Sequence, residues 1–362
     1  MLIVDAHEDL AWNMLTFGRD YTRAAEDTRQ LERGADAPRY NGDTLLGWPD
    51  YQRGRVAVVF STLFVAPAHA NLGPWDTQYY TNFDQAHALY GAQLDAYHRL
   101  ANDHPDHFRL ILARSDLQEV LSHHQRQDVT EHPVGLAVLM EGAEGVRTPS
   151  ELDEWWQLGV RLIGLAWRGT RFCGGTLEPG PLTKEGYALL DGMADLGFTL
   201  DLSHMDEQSA LQALDYYPGR IIASHSNAVA LLKDVQVNRF LSDRVIQGLI
   251  ERGGVIGVVP FNGFLLWGWS PRDGRQAVTL HQVVAQIDYI CQMAGDVRHV
   301  GLGSDYDGGF GLQSVPSEID TIADLQKLVP LLAVKGYSEA DITAIMGGNW
   351  LTLLEQISPE GL

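Results

Sequence analysis

The chain has 362 residues, 45% hydrophobic and 20% charged, with 26 Lys+Arg against 47 Asp+Glu and a formal net charge of −21. This is the composition of an ordinary globule long enough to bury a large core, and its acidity makes nucleic acid and anionic membranes poor partners, because basic patches supply most of such binding. No run approaches the roughly 18 consecutive apolar residues of a membrane-spanning helix.

The start, Met1 to His7, has neither the basic nor the cleavable apolar region of a signal peptide, and the polar end, Ser358 to Leu362, carries no lipid-anchor signal. Two cysteines, Cys173 and Cys291, make no disulfide framework and suit a reducing cytoplasm. Along the chain, short runs rich in Val, Ile and Leu alternate with longer amphipathic stretches. The runs are Leu2–Val4, Val56–Val65, Val134–Met140, Leu162–Leu165, Phe198–Leu202, Ile221–Ala223, Val255–Val259 and Val300–Gly303. Helical periodicity is expected over Gln78–Asn102, Ser115–His123, Glu151–Leu158, Lys184–Leu196, Ser242–Arg252 and Leu280–Met293, with two more helices near Ile319–Val334 and Ser338–Gln356. The stretch from Thr28 to Tyr51, polar with Gly and Pro, is expected to be a long loop after the first strand. Eight buried strands alternating with helices predict an α/β fold, a (β/α)8 TIM-like barrel occupying residues 1–362 as one domain with long strand–helix loops. An open doubly wound sheet is the alternative, but no Gly-x-Gly-x-x-Gly turn follows the first run.

The chemistry-bearing residues sit where these runs end. The first run leads into His7 and Asp9, the third into Glu141, the fifth into His204, the sixth into His225 and the eighth into Asp305 and Asp307. The C-terminal ends of barrel strands converge on one mouth, so residues distant in sequence become neighbours there. His7-x-Asp9 is expected to aim both side chains the same way by the period of two of a strand. Glu141, after seven apolar residues, is costly to bury unless paired; Glu144 is a competing carboxylate. Three imidazoles and two carboxylates suit zinc, cobalt, manganese or nickel better than magnesium or calcium. Five side chains are too many for one catalytic zinc and fit two divalent ions sharing a carboxylate and a water ionised near neutral pH. Asp305 is expected to accept that water's proton and deliver it to a leaving amine, with Asp307 as the fallback.

With these residues in place, the sequence resembles the renal (membrane) dipeptidase family of zinc metallopeptidases, a branch of the amidohydrolase superfamily. The similar segments are DAHEDLAW at 5–12, VLMEGAEG at 138–145, LDLSHM at 200–205, ASHSNA at 223–228, GGVIGV at 253–258, GLGSDYDGG at 301–309 and GGNWL at 347–351. The resemblance implies hydrolysis of the amide bond of a dipeptide, a D-residue at its second position included, by a hydroxide bridging two zinc ions. His7 and Asp9 would hold one ion, His204 and His225 the other, and Glu141 would bridge them, with Asp305 as proton shuttle. It also implies that Arg239 pairs with the substrate carboxylate. One position departs from the mammalian branch: a histidine that contacts the substrate carbonyl is replaced here by Trp167. Arg168 is then the nearest permanent cation that could take over the developing oxyanion, the alternative being the metals themselves.

The same site could instead serve N-acyl amino acids, lactams or lactones, since fold and metals do not choose among these. A non-catalytic binding barrel would be more credible had a ligand been lost, and the acidic SDYD after the eighth run argues against a phosphate site there. The apolar stretch Phe264 to Trp269 is read as a pocket lid, a contact in a homodimer, or a segment packed on the barrel.

Overall fold

The eight apolar runs become eight parallel strands. In the computed structural model, which describes residues 1–126 and 131–360, they are β1 (Ile3–Glu8), β2 (Val56–Phe64), β3 (Val134–Glu141), β4 (Val160–Gly164), β5 (Thr199–Asp201), β6 (Ile221–Ile222), β7 (Ile256–Val258) and β8 (Val300–Leu302). Pairing runs β7-β8-β1-β2-β3-β4-β5-β6. The ring closes through a parallel bridge between Ala223 and Ile256, extended by hydrogen bonds from Ala223 N to Val255 O (3.0 Å) and from Gly257 N to Ala223 O (2.8 Å). The expected α/β barrel is therefore the observed fold. The last two residues of the C-terminal segment discussed above lie outside the described residues. Among the described residues, no helix is long and apolar enough to cross a membrane.

Several local expectations need correction. The stretch from Thr28 to Tyr51 is not a bare loop: it contains or overlaps helices Ala25–Leu31, Ala37–Tyr40 and Trp48–Gly54. Pro38 and Pro49 sit in the first turns of the latter two, where a missing N–H costs nothing, so they start helices rather than break them. The helix expected from Gln78 begins at Phe83, where Asn82 caps it by accepting from Gln85 N; Tyr79–Tyr80 instead pairs in parallel with Ala66–Pro67. A short strand not foreseen, Phe108–Leu110, pairs with the start of β3. The region expected as one helix near Ile319–Val334 is a 3₁₀ stretch, Ile322–Lys327, running into helix Leu328–Lys335. The final helix divides into Glu339–Thr343, a π turn at Ala344–Gly348, and Asn349–Ile357.

That divided helix explains the GGNWL segment, which lies against the barrel away from the ligand-bearing strand ends. A Cβ on Gly347 would stand 3.0 Å from Val4 N, so this turn runs directly along β1. Trp350 is fully buried, donates from Nε1 to Leu302 O (2.9 Å), and lies so close over Gly301 that a Cβ there would come within 2.2 Å of Nε1. Asn349 donates to Val300 O (2.7 Å). The motif thus clamps β1 and β8 side by side. Gly301→Ala should displace the indole and lower stability by about 1–3 kcal/mol. Gly91→Ala, in a helix where nothing lies within 4 Å of the new methyl, should be neutral or stabilising by up to about 1 kcal/mol. Urea unfolding of the two variants beside the parent checks this; equal midpoints for all three would refute the clamp.

Candidate metal centre

The polar residues that close the strands meet at one end of the barrel. Glu141 is the last residue of β3. His204 and His225 follow β5 and β6, and Asp305 follows β8. His204 and Asp305 hold left-handed backbone conformations, with φ of 67° and 59°, which few non-glycine residues adopt and which often mark functional turns. The expected geometry of His7-x-Asp9 is corrected. The strand ends at Glu8, and Asp9 has left it to precede helix Leu10–Phe17. The register with β2 also shifts between Asp5 and Glu8, so strict alternation does not hold through His7.

The five side chains nevertheless converge. His7 Nε2 stands 3.7 Å from Asp9 Oδ2 and 3.7 Å from Glu141 Oε2. The other oxygen of Glu141, Oε1, stands 3.0 Å from His204 Nε2 and 3.4 Å from His225 Nε2. His7, Asp9 and Glu141 form one group able to hold an ion, and Glu141, His204 and His225 form a second; the ligand-type atoms in each lie within 4.8 Å of one another. Asp305 joins His7 and His225 in a third such group, with Oδ1 3.9 Å from His7 Nε2.

The donor set fits cations. His7 Nε2 and Asp9 Oδ1 are buried without a hydrogen-bond partner. His204 Nε2 and His225 Nε2 face each other at 2.9 Å, a contact between two neutral imidazoles that needs a proton or a cation between them. The protonation pattern says the same. Burial would lower the pKa of His7, but Glu141, Asp9 and Asp305 overcome it and push it up to about 10. Burial raises Asp9 to about 7 and, with the Asp9 and Glu141 charges, raises Asp305 well above the carboxylate range. Glu141 goes the other way: the His7 charge, with hydrogen bonding from His204 and His225, outweighs its burial and holds it well below that range.

Positioning groups lie behind the cluster. Ser224 Oγ bridges Asp201 and His225 Nδ1, the latter at 2.8 Å. Asp201 Oδ1 also accepts from Ser203 N (3.0 Å) and Ser224 N (2.8 Å), fixing the backbone just before both histidines. Thr176 Oγ1 lies 3.0 Å from His204 Nδ1. Such contacts orient imidazoles and set the tautomer that leaves Nε2 free. Sequence reasoning missed Asp201, although the cost of an acid in an apolar run, which singled out Glu141, applies to it equally. Nothing in the sequence pointed to Thr176. Gly308 leaves space that a Cβ would fill, 2.2 Å from Asp305 Oδ1 and 2.7 Å from Asp9 Oδ2.

Both fallback carboxylates are engaged elsewhere. Asp307 is fully buried and accepts from Arg19 (2.9 Å), Tyr21 (2.8 Å), Thr44 and Leu45 N. Glu144 accepts from Arg171 N at 2.8 Å.

A cavity of about 410 Å³ opens over the cluster, lined by Asp9, Glu141, His204 and Asp305 together with Arg239, Trp167 and Arg168. Arg239 is buried and donates to Ser226 Oγ (3.1 Å) and His225 O (2.9 Å), while its Nε has no partner. Trp167 packs edge-on against Phe64, ring centres 5.0 Å apart. Arg168 lies over the Trp167 ring at 5.3 Å and donates to Thr176 O at 3.3 Å. Phe264 and Trp267 line the same cavity, so the apolar stretch after β7 is a cavity wall. In that stretch Leu265 is buried, and Trp269 packs on the core while donating to Gly274 O (3.0 Å).

Comparisons with known proteins agree with this architecture. A Rhodobacter sphaeroides metallo peptidase, solved with a phosphinate mimic of the dipeptide L-Ala-D-Ala, superposes with a TM-score of 0.78 at 22% identity, covering 99% of each chain. The dipeptidase aclJ of Aspergillus oryzae is 26% identical over 98% of this chain and 78% of its own. An uncharacterized protein encoded in the pqqA 5' region of Klebsiella pneumoniae is 30% identical over 69% of this chain and 89% of its own. The sequence model described as membrane dipeptidase (peptidase family M19) matches residues 1–359, and the chain belongs to that family.

Proposed function

We propose that this chain hydrolyses dipeptides with two divalent transition-metal ions, zinc first among the candidates. The observation that carries the reading is the pair of three-ligand groups sharing Glu141 at the floor of a cavity whose wall holds a buried arginine. The activity named for the Aspergillus relative and the dipeptide mimic held by the Rhodobacter structure support it. His7 and Asp9 would hold one ion, His204 and His225 the other, and Glu141 would contribute one oxygen to each. When bound, the ions would lower the pKa of a water and polarise the scissile carbonyl.

The chain's own residues supply the rest. Arg239, which lines the cavity, takes the substrate carboxylate, placing the scissile amide over the cluster. As the oxygen of the ionised water bonds to the carbonyl carbon, Asp305 accepts its remaining proton; as the C–N bond breaks, Asp305 passes that proton to the leaving nitrogen. Two divalent ions (+4) balance Asp9, Glu141, Asp305 and an ionised water (−4), which leaves the charge of Arg239 for the carboxylate. Arg168, engaged with Thr176 and Trp167, belongs to the cavity wall in this reading.

One observation favours a second substrate type. The acids that line the cavity are Asp9, Glu141 and Asp305, all members of the cluster, so a substrate ammonium has no carboxylate of its own. N-acyl amino acids would need none. A panel of free dipeptides beside their N-acetyl forms separates the two.

Three outcomes test the main reading. Purified protein should bind close to two metal equivalents per chain, lose activity to a strong chelator and regain it with zinc, cobalt or manganese; full activity in a metal-free sample would sink the idea. Asp305→Asn should keep both metals yet lose roughly 10²–10⁴-fold in turnover. Loss of metal instead would make Asp305 a ligand. Arg239→Met should weaken hydrolysis of free dipeptides far more than of their C-terminal amides, and equal losses on both would make the arginine structural.

A further inference from the structure

The aromatic wall after β7 has no part in holding metal or moving protons. Phe264, Trp267, Phe261 and Phe310 nevertheless all face the cavity. Their rings run in a connected series: Phe261 lies 4.5 Å from Phe310 and 4.9 Å from Phe264, centre to centre. Phe240 then links Phe264 (5.1 Å) to Trp267 (5.7 Å). The arginine meets this series at its middle ring, where the Arg239 guanidinium stands 5.0 Å over Phe264. Phe261, Phe264 and Trp267 are only partly buried and line the cavity, so part of each ring is within reach of a ligand.

We infer that this wall is the side-chain subsite for the substrate residue that bears the carboxylate, and that it selects dipeptides whose second residue is large and apolar, aromatic above all. The inference rests on the dipeptidase reading. In an amino acid the side chain leaves from the carbon that carries the carboxylate. With that carboxylate on Arg239, a side chain at the second position starts within reach of Phe264 and extends along the ring series. A methyl or hydrogen there leaves the rings wet; a benzyl or isobutyl group covers them and offers the edge-to-face geometry that aromatic pairs favour. The area covered corresponds to roughly 10–100-fold in binding. A charged side chain would meet no partner on this wall, since its cation is already committed to the carboxylate.

The experiment uses metal-loaded protein and a panel of Ala-X dipeptides, X being Gly, Ala, Leu, Phe, Asp or Lys in both configurations. The better configuration of Phe and Leu should exceed Gly in kcat/KM by at least about 10-fold, with most of the gain in KM, as expected for binding made equally in ground and transition states. Phosphinate dipeptide mimics should rank the same way as inhibitors, which reads binding without turnover. Phe264→Ala and Trp267→Ala should each shrink the Phe-to-Gly ratio, and Phe264→Leu, which disturbs packing least, should shrink it less. A flat profile, or a preference for Gly or Asp, overturns the subsite while leaving the dipeptidase reading in place. A ratio that survives both alanine variants overturns it as well. Metal-loaded protein that turns over no dipeptide at all overturns the dipeptidase reading and this inference with it.

Discussion

Glu141 places an ionised carboxylate at the end of a fully buried strand, where an unpaired charge would cost several kcal/mol even after relaxation. It is tolerated because three imidazoles from three other strands surround it: His204 at 3.0 Å, His225 at 3.4 Å and His7 at 3.7 Å. Those partners come from β1, β5 and β6, and only a closed ring brings the ends of β1, β3, β5 and β6 together. The weakest seam of the ring, the bridge at Ala223, lies two residues before His225. Closure of the barrel and assembly of the cluster therefore depend on each other. A defect at that seam would move a ligand-type residue directly, whereas a defect at the Trp350 clamp would act first on stability.

Two aspartates in one short turn show how surroundings decide the role of a carboxylate. Asp305 and Asp307 both have left-handed backbone angles, φ 59° and 62°. Asp307 turns into the protein and receives Arg19, Tyr21 and Thr44, all from the segment after β1. Asn41 and Asn13 both donate to Asp307 O. Its hydrogen-bonding capacity is filled, and it ties the long β1 segment to the end of β8. Asp305 turns toward the cluster, faces like charges from Asp9 and Glu141, and is driven toward its protonated form. The firmly held Asp307 keeps the turn that carries Asp305 in place.

The barrel was legible because β-branched runs at regular intervals leave few other arrangements, and the convergence of strand ends then made the five ligand-type residues legible as a set. What escaped sequence reading has local causes. A register shift beside His7 and the exit of Asp9 from the strand break the period of two on which the His-x-Asp argument relied. Pro38 and Pro49 read equally as loop punctuation and as helix starts, and only packing decides. Strand Phe108–Leu110 is too short to produce a periodic signal. Thr176 meets His204 across 28 positions through a loop contact that no pattern encodes. Asp201 could have been found, since an acid in the apolar run Phe198–Leu202 carries the same cost as Glu141 and had no assigned partner.

Trp167 is where this chain leaves the pattern of the mammalian branch it resembles, and its surroundings say what the change does. An indole has one N–H and no titrating proton, so it differs from the histidine of that branch as a donor. Its ring packs on Phe64 and lies 6.3 Å from the His204 ring, continuous with an apolar group that includes Trp12. Losing a donor to a developing oxyanion typically costs about 2.7–4 kcal/mol. The Arg168 guanidinium lies over the Trp167 ring and donates to Thr176 O, the residue whose hydroxyl meets His204. Trp167 thus adds an aromatic surface on the β4 side of the cavity, as Phe264 and Trp267 do on the β7 side.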